Sequence, residues 1–216
     1  MKTVFINNMS IAYPKKVEEN FKILKLNGKK NDEIKKMIKK IGIHSRFVTS
    51  KLETSNTMAV NSAKKILKKI VKSKVDFLIF CTNSPDYILP PNACLLQAKL
   101  KLEKTTGCFD INLSCSGYIY ALSLAKAMIQ SNQAKNVLLI TSDSYSKFIN
   151  KRDYKNRVLF GDGSTGTLVT SDKKNAIFSL GESSMGTDGN GGSKLVFKNF
   201  GAKYVLSKKL EKLEMD

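Results

Sequence analysis

One cysteine in this chain is flanked by residues that suit covalent chemistry. Cys115 stands among small Ser114, Ser116 and Gly117, which leave room for a carbonyl group to reach the sulfur and the amides beside it. Upstream, Phe109, Ile111 and Leu113 alternate with polar residues as in a strand. Downstream, Tyr118, Ile119, Ala121, Leu122, Leu124, Ala125, Met128 and Ile129 recur at helical spacing. The thiol therefore falls at or next to the first turn of a helix, where backbone N–H groups lack intrahelical partners and the macrodipole is positive. Both features favour thiolate over thiol, and an ordinary thiol is only a few per cent ionised at pH 7. On position alone, a nucleophile and a packed core cysteine are equally good readings, because free cysteines are among the most buried residues.

The surrounding elements follow from periodicity and punctuation. Residues 3–6 read as a strand, and 31–41 as a helix with apolar Ile34, Met37, Ile38 and Ile41. A second amphipathic helix over 56–71 leads into a strand over 75–81, closed by turn-forming Thr82, Asn83, Ser84 and Pro85. A helix over 92–102, the Phe109 strand, the Cys115 helix and a strand over 137–141 come next. Residues 143–157 read as a polar loop with little order. Gly161-Asp162-Gly163 reads as a tight turn needing positive φ, its aspartate capping neighbouring amides. Two last strands cover 166–170 and 176–180. Strands alternating with helices imply an α/β fold with a mostly parallel sheet and helices on both faces. Neither a repeat nor a linker divides the 216 residues, whose 42% hydrophobic content fits one domain, 1–216.

Several function classes fall away. Cys81, Cys94, Cys108 and Cys115 form no CxxC pair and no metal-ligand grouping with the single histidine, His44. The first three read as packing. The glycine turn lacks both the GxGxxG spacing and a Walker lysine, and no cofactor is indicated. A formal charge of +19 suggests nucleic acid, but it comes from 34 lysines and only Arg46, Arg152 and Arg157, whereas base and phosphate recognition favours the arginine fork. The lysines are spread along the chain, many in pairs at solvent positions of amphipathic helices, so they read as a solvated surface that attracts acidic or phosphorylated partners at most. There is no basic-then-apolar leader and no apolar run near the roughly 20 residues of a membrane helix. The expectation is a reduced, cytoplasmic protein with no nucleic-acid or membrane partner.

The stretch from Phe109 to Leu122, followed by Leu159-Phe160-Gly161-Asp162-Gly163-Ser164, resembles the nucleophile and glycine-loop motifs of β-ketoacyl-acyl-carrier-protein synthase III, in the thiolase superfamily. Ile41-Gly42-Ile43-His44-Ser45-Arg46, the segment from Ser84 to Cys94 and Thr187-Asp188-Gly189-Asn190-Gly191 resemble further family segments, in family order. The resemblance implies a βαβαβαββ half of a five-layer αβαβα assembly, whose two halves share a central helix layer. In the family a histidine, an asparagine and a glycine-rich segment from the second half complete the site. None of them lies in these residues, so the chain reads as an N-terminal half, with Leu213-Glu214-Met215-Asp216 approaching the second. A half alone would expose its central layer, which calls for a complementary C-terminal half or a homodimer.

By that resemblance Cys115 attacks an acyl-coenzyme A thioester, its own N–H serving as one oxyanion donor. Malonyl-acyl carrier protein then loses carbon dioxide, and the carbanion attacks the acyl group to form a β-ketoacyl thioester in fatty acid biosynthesis. The second stage needs the absent histidine and asparagine, so this chain alone is not expected to condense. Lys36 stands near the place where the family often stacks a tryptophan on the coenzyme A adenine, and with Lys40 it marks the coenzyme A region. Leu89 stands where the family often has a phenylalanine reaching across the dimer into the partner's acyl pocket; leucine there would deepen the pocket. Two alternatives remain: a related acyltransferase of a specialised pathway, and a noncatalytic partner subunit in which Cys115 is a remnant.

Overall fold

The strand that leads to Cys115 is the edge of a six-stranded sheet. The computed structural model describes residues 2–71, 74–194 and 196–197 and divides into two units, Met1–Ser183 and Ser184–Asp216. In chain order the first unit holds β1 (Phe5–Ala12), β2 (Lys16–Glu19), α1 (Asn20–Leu26), α2 (Asn31–Ile41), β3 (Ser45–Val48), α3 (Ser55–Leu67), β4 (Phe77–Cys81) and α4 (Asn92–Leu100). Then come β5 (Gly107–Ile111), α5 (Gly117–Gln130), β6 (Asn136–Asp143), α6 (Tyr154–Arg157), β7 (Gly163–Thr170) and β8 (Phe178–Ser179). Among its described residues the second unit has a 3₁₀ turn at Gly189–Gly191, where the Asp188 carboxylate accepts the Asn190 N–H at 3.0 Å.

The strand order is β5-β4-β6-β7-β1-β8, with β2 and β3 paired separately. β4 runs parallel to both β5 and β6, whereas β6–β7, β7–β1 and β1–β8 are antiparallel. The sheet is therefore mixed, with β1, β4, β5 and β6 running one way and β7 and β8 the other, so most of its strands share a direction, as expected. α3, α4 and α5 act as crossover helices that return the chain to the start of a strand of the same direction, from β1 to β4, β4 to β5 and β5 to β6. β7 is reached through a loop with the one-turn α6, and β8 without any helix.

Helices do cover both faces. Leu78, Phe80, Leu138, Ile140 and Leu168 point to α3 and α4, meeting Ala59, Ala63, Ile66, Leu96 and Leu100. The alternate residues Ile79, Val137, Leu139 and Val169 point to α5, meeting Ala121, Leu122, Ala125, Met128 and Ile129. Each large side chain buried in this way contributes about 1.5–3 kcal/mol. Ile23, Leu24, Ile34, Ile38 and Val158 make a third cluster that holds α1 and α2 together. α2 spans the expected residues and stops at Gly42, whose φ of 77° is the left-handed stop that glycine allows. α3 opens on a capping box, with the Thr54 N–H donating to Thr57 Oγ1 at 2.8 Å. It ends at Leu67, short of the expected 71.

Other expectations need correction. The β2–β3 pair and α1 have no counterpart in the sequence reading, and the segment after β6 is ordered into a 3₁₀ turn at Tyr145–Lys147 and α6. Positive φ among the described glycines is confined to Gly28 and Gly42, so the 161–163 segment is not a left-handed turn. Gly161 is favoured by proximity instead, since a Cβ there would crowd the Phe47 carbonyl oxygen at 3.0 Å. Asp162 is buried and does cap amides, but distant ones. It accepts from the Thr49 N–H at 2.6 Å and the Ser146 N–H at 2.9 Å, tying the end of β3 to the segment after β6. Cys81 is buried as expected and Cys108 half-buried, whereas Cys94 is exposed on α4 rather than packed.

Candidate active site

Pairing between β4 and β5 decides what surrounds the cysteine. Cys81 sits opposite Ile111, so the segments leaving the two strands, 82–84 and 112–116, run side by side. Ser114–Ser116 then forms a 3₁₀ turn directly before α5, and Cys115 in its middle is exposed rather than packed into the core. Ser116 makes no side-chain cap on α5; its hydroxyl donates to the Leu113 carbonyl at 3.1 Å. Ser114 has φ of 45°, a left-handed conformation that costs a residue with a Cβ about 1–2 kcal/mol.

Side chains from both neighbouring segments hold this turn. The Ser114 N–H donates to Asn83 Oδ1 at 2.7 Å, and Asn83 Nδ2 donates to Asn112 Oδ1. The Ser114 hydroxyl pairs with the Tyr145 hydroxyl at 3.2 Å. Behind Asn83, one carboxylate oxygen of Asp143 accepts from the Asn83 N–H at 2.8 Å, Ser84 Oγ at 2.8 Å and Thr82 Oγ1 at 3.1 Å. Burial pushes the Asp143 carboxyl above the usual range, although these donors pull the other way. On β5, Asp110 accepts the Asn92 and Ala93 N–H groups at 2.6 and 2.7 Å, placing a carboxylate on the positive end of α4.

The remaining site residues from the sequence lie on other elements. Leu89 is 65% exposed in the loop between β4 and α4, beside exposed Tyr87 and Ile88. Lys36 and Lys40 are exposed on α2, and the hollow of about 730 Å³ next to that helix is lined by Lys35 and Lys39 instead, together with Phe21 and His44. Sequence reasoning missed Asn83, Asp143 and Tyr145. The one signal was the turn chemistry of residues 82–85, which marks Asn83 alone and does not say what the turn touches.

On the α5 side, Ile119 and Leu124 are exposed, and Met9 and Ile11 of β1 help line an apolar hollow of about 570 Å³ with Tyr118. Among the described residues no group of three His, Cys, Asp or Glu side chains could hold a metal ion, and no helix is long and apolar enough to cross a membrane.

A mixed six-stranded sheet between helical layers, with an exposed cysteine on the turn from its edge strand into α5, defines a thiolase-like fold. Residues 109–189 match the family model described as 3-oxoacyl-[acyl-carrier-protein (ACP)] synthase III. The β-ketoacyl-[acyl-carrier-protein] synthase III of Clostridium novyi is 36% identical over 187 residues, covering 82% of this chain and 57% of that relative. Among solved structures, the 3-oxoacyl-(acyl-carrier protein) synthase of Burkholderia xenovorans superimposes with a TM-score of 0.82 at 28% identity, over 94% of this chain and 57% of that one. The synthase III of Aquifex aeolicus gives a TM-score of 0.72 at 35% identity, over 79% of this chain and 54% of that one. The chain is thus a relative of the β-ketoacyl-acyl-carrier-protein synthases III, as its motifs indicate, and it spans about half the length of the curated relatives it matches.

Proposed function

We propose that Cys115 is an acyl-accepting nucleophile and that the chain serves the acyl-transfer stage of a ketoacyl synthase III-type reaction. The observation that carries this is the exposed sulfur on the turn before α5, inside the stretch matched by the family model. The Cys115 thiolate attacks the carbonyl carbon of an acyl-coenzyme A, and the resulting oxyanion is met by the Cys115 N–H. Collapse of that intermediate breaks the bond to the coenzyme A sulfur, which leaves as a thiolate and takes up the proton that Cys115 gave. The product is a thioester on Cys115.

Decarboxylative condensation with malonyl-acyl carrier protein is the second stage, in fatty acid biosynthesis. It requires a histidine and an asparagine that residues 1–216, read as the N-terminal thiolase-like domain, do not supply. Exposed Ile119, Leu124, Met9 and Ile11 support a complementary half seated over α5 and β1. The edge of β5, unpaired among the described residues, and the exposed Tyr87-Ile88-Leu89 loop support a homodimer across that edge, with Leu89 at the acyl pocket of the partner. Lys36 and Lys40, beside Lys35 and Lys39, suit the coenzyme A phosphates by charge. The cytoplasm is the compartment this chemistry fits.

Mixing the chain with acetyl-coenzyme A and titrating the released thiol tests the acyl-transfer stage. A burst of one coenzyme A per chain, absent from Cys115→Ser, is expected; a burst of equal size from Cys115→Ser would rule the proposal out.

A further inference from the structure

Ser114 holds a left-handed φ of 45°, a conformation that residues other than glycine keep only where their surroundings fix it. The surroundings here converge on one side chain. Asn83 accepts the Ser114 N–H through Oδ1 at 2.7 Å and donates through Nδ2 to Asn112, so a single amide bridges both sides of Leu113. Asn83 is itself fixed from behind, because its N–H donates at 2.8 Å to the Asp143 oxygen that also accepts from Thr82 and Ser84. A second anchor, Tyr145, reaches the Ser114 hydroxyl from the segment that follows Asp143.

We infer that Asn83 is the positioning residue of the Cys115 nucleophile: its amide locks the turn that presents the sulfur, and Asp143 locks Asn83. The inference rests on the reading of Cys115 as acyl acceptor, since a structural cysteine has no need of a fixed turn. Asparagine suits the post because it offers an acceptor to the Ser114 amide and a donor to Asn112 together. Aspartate keeps the acceptor, and Asn112 can turn its own amide to donate to it. Leucine, of similar size, loses both bonds.

The four cysteines permit a test on the full chain that does not depend on acyl transfer. Iodoacetamide labelling is followed peptide by peptide, with exposed Cys94 as internal reference and Cys81 and Cys108 as reporters of unfolding. Asn83→Leu is expected to lower Cys115 labelling relative to Cys94 by about tenfold or more, as the loss of two hydrogen bonds implies, with Asn83→Asp, which keeps the acceptor, closer to wild type. Hydrogen exchange at the Ser114 amide should quicken in Asn83→Leu and stay slow in Asn83→Asp. An unchanged labelling ratio in Asn83→Leu, with Cys81 and Cys108 still protected, overturns the inference. If Asn83→Leu unfolds, Asn83→Ser, too short to reach the Ser114 amide, takes its place: a lowered ratio supports the inference and an unchanged one overturns it. Should Asn83→Leu lower the labelling ratio while wild type takes no acyl group, the proposed function fails and the role of Asn83 in the turn stands.

Discussion

Gly117 lies so close to Cys81 that a Cβ on the glycine would stand 2.3 Å from the cysteine sulfur. The contact pins the start of α5 to the end of β4, and with it the turn that carries Cys115. Gly117→Ala is therefore expected to destabilise the fold by about 1–3 kcal/mol through overpacking. Adding Cys81→Ala removes the obstructing sulfur and should restore much of that loss. Denaturant unfolding of the two single variants and the double variant measures the coupling; strictly additive effects would show that the contact does not set the fit.

Thiol reactivity should divide the cysteines in two. Cys94 and Cys115 are exposed, while Cys81 is buried and burial, aided by Cys94 and Asp110, pushes Cys108 up to about 11. Labelling the native chain at pH 8 is expected to modify Cys94 and Cys115 within minutes and spare Cys81 and Cys108 until denaturant is added. Peptide mapping reads the outcome, and early loss of the Cys108 thiol would contradict it.

Arg46 is 5% exposed and spends its guanidinium on three partners, Asn20 Oδ1 at 2.9 Å, the Phe160 carbonyl at 2.7 Å and Glu18 at 3.2 Å. Removing it takes a donor from Asn20 and the Phe160 carbonyl while Glu18 keeps Arg157 and Lys16, so Arg46→Ala should cost about 1–3 kcal/mol in urea unfolding. Arg46→Lys cannot reproduce the fork and should recover only part of that.

Asp143 makes stability depend on pH in an inverted sense. Burial raises its carboxyl in the folded state, so between the ordinary aspartate value and that raised value the folded chain binds more protons than the unfolded one. Stability from this group therefore falls as pH rises through that window and is flat above it. The Asp143→Asn variant keeps an acceptor oxygen for Thr82, Asn83 and Ser84 without titrating. The stability of Asp143→Asn minus that of wild type should accordingly grow as pH rises above the ordinary aspartate value and then level off; a difference that shrinks would contradict the assignment.

How far the fold was legible depended on how local its causes are. α2 could be read because four apolar residues at helical spacing end at Gly42, and the Cys115 junction because periodicity switches from two to 3.6 around it. β2 and β3 could not, because each is four residues long and the key buried residue of β3 is charged: Arg46 is inside only because Asn20, Phe160 and Glu18 meet it there. Strand direction is legible where a helix brings the chain back, as α3, α4 and α5 do, whereas the loop to β7 gives no periodic sign of its antiparallel return. The place of Cys115 before α5 was legible from its own neighbours, but Asn83 is 31 residues from Ser114 and meets it only because Cys81 pairs with Ile111.

Uptake of an acyl group by Cys115 can be read by intact-mass spectrometry of the purified chain after incubation with acetyl-coenzyme A and longer acyl-coenzymes A. The expected result is a mass gain equal to one acyl group, absent from Cys115→Ala and reversed by hydroxylamine, as a thioester requires. A folded chain that gains no mass, or gains it equally in Cys115→Ala, would contradict that uptake.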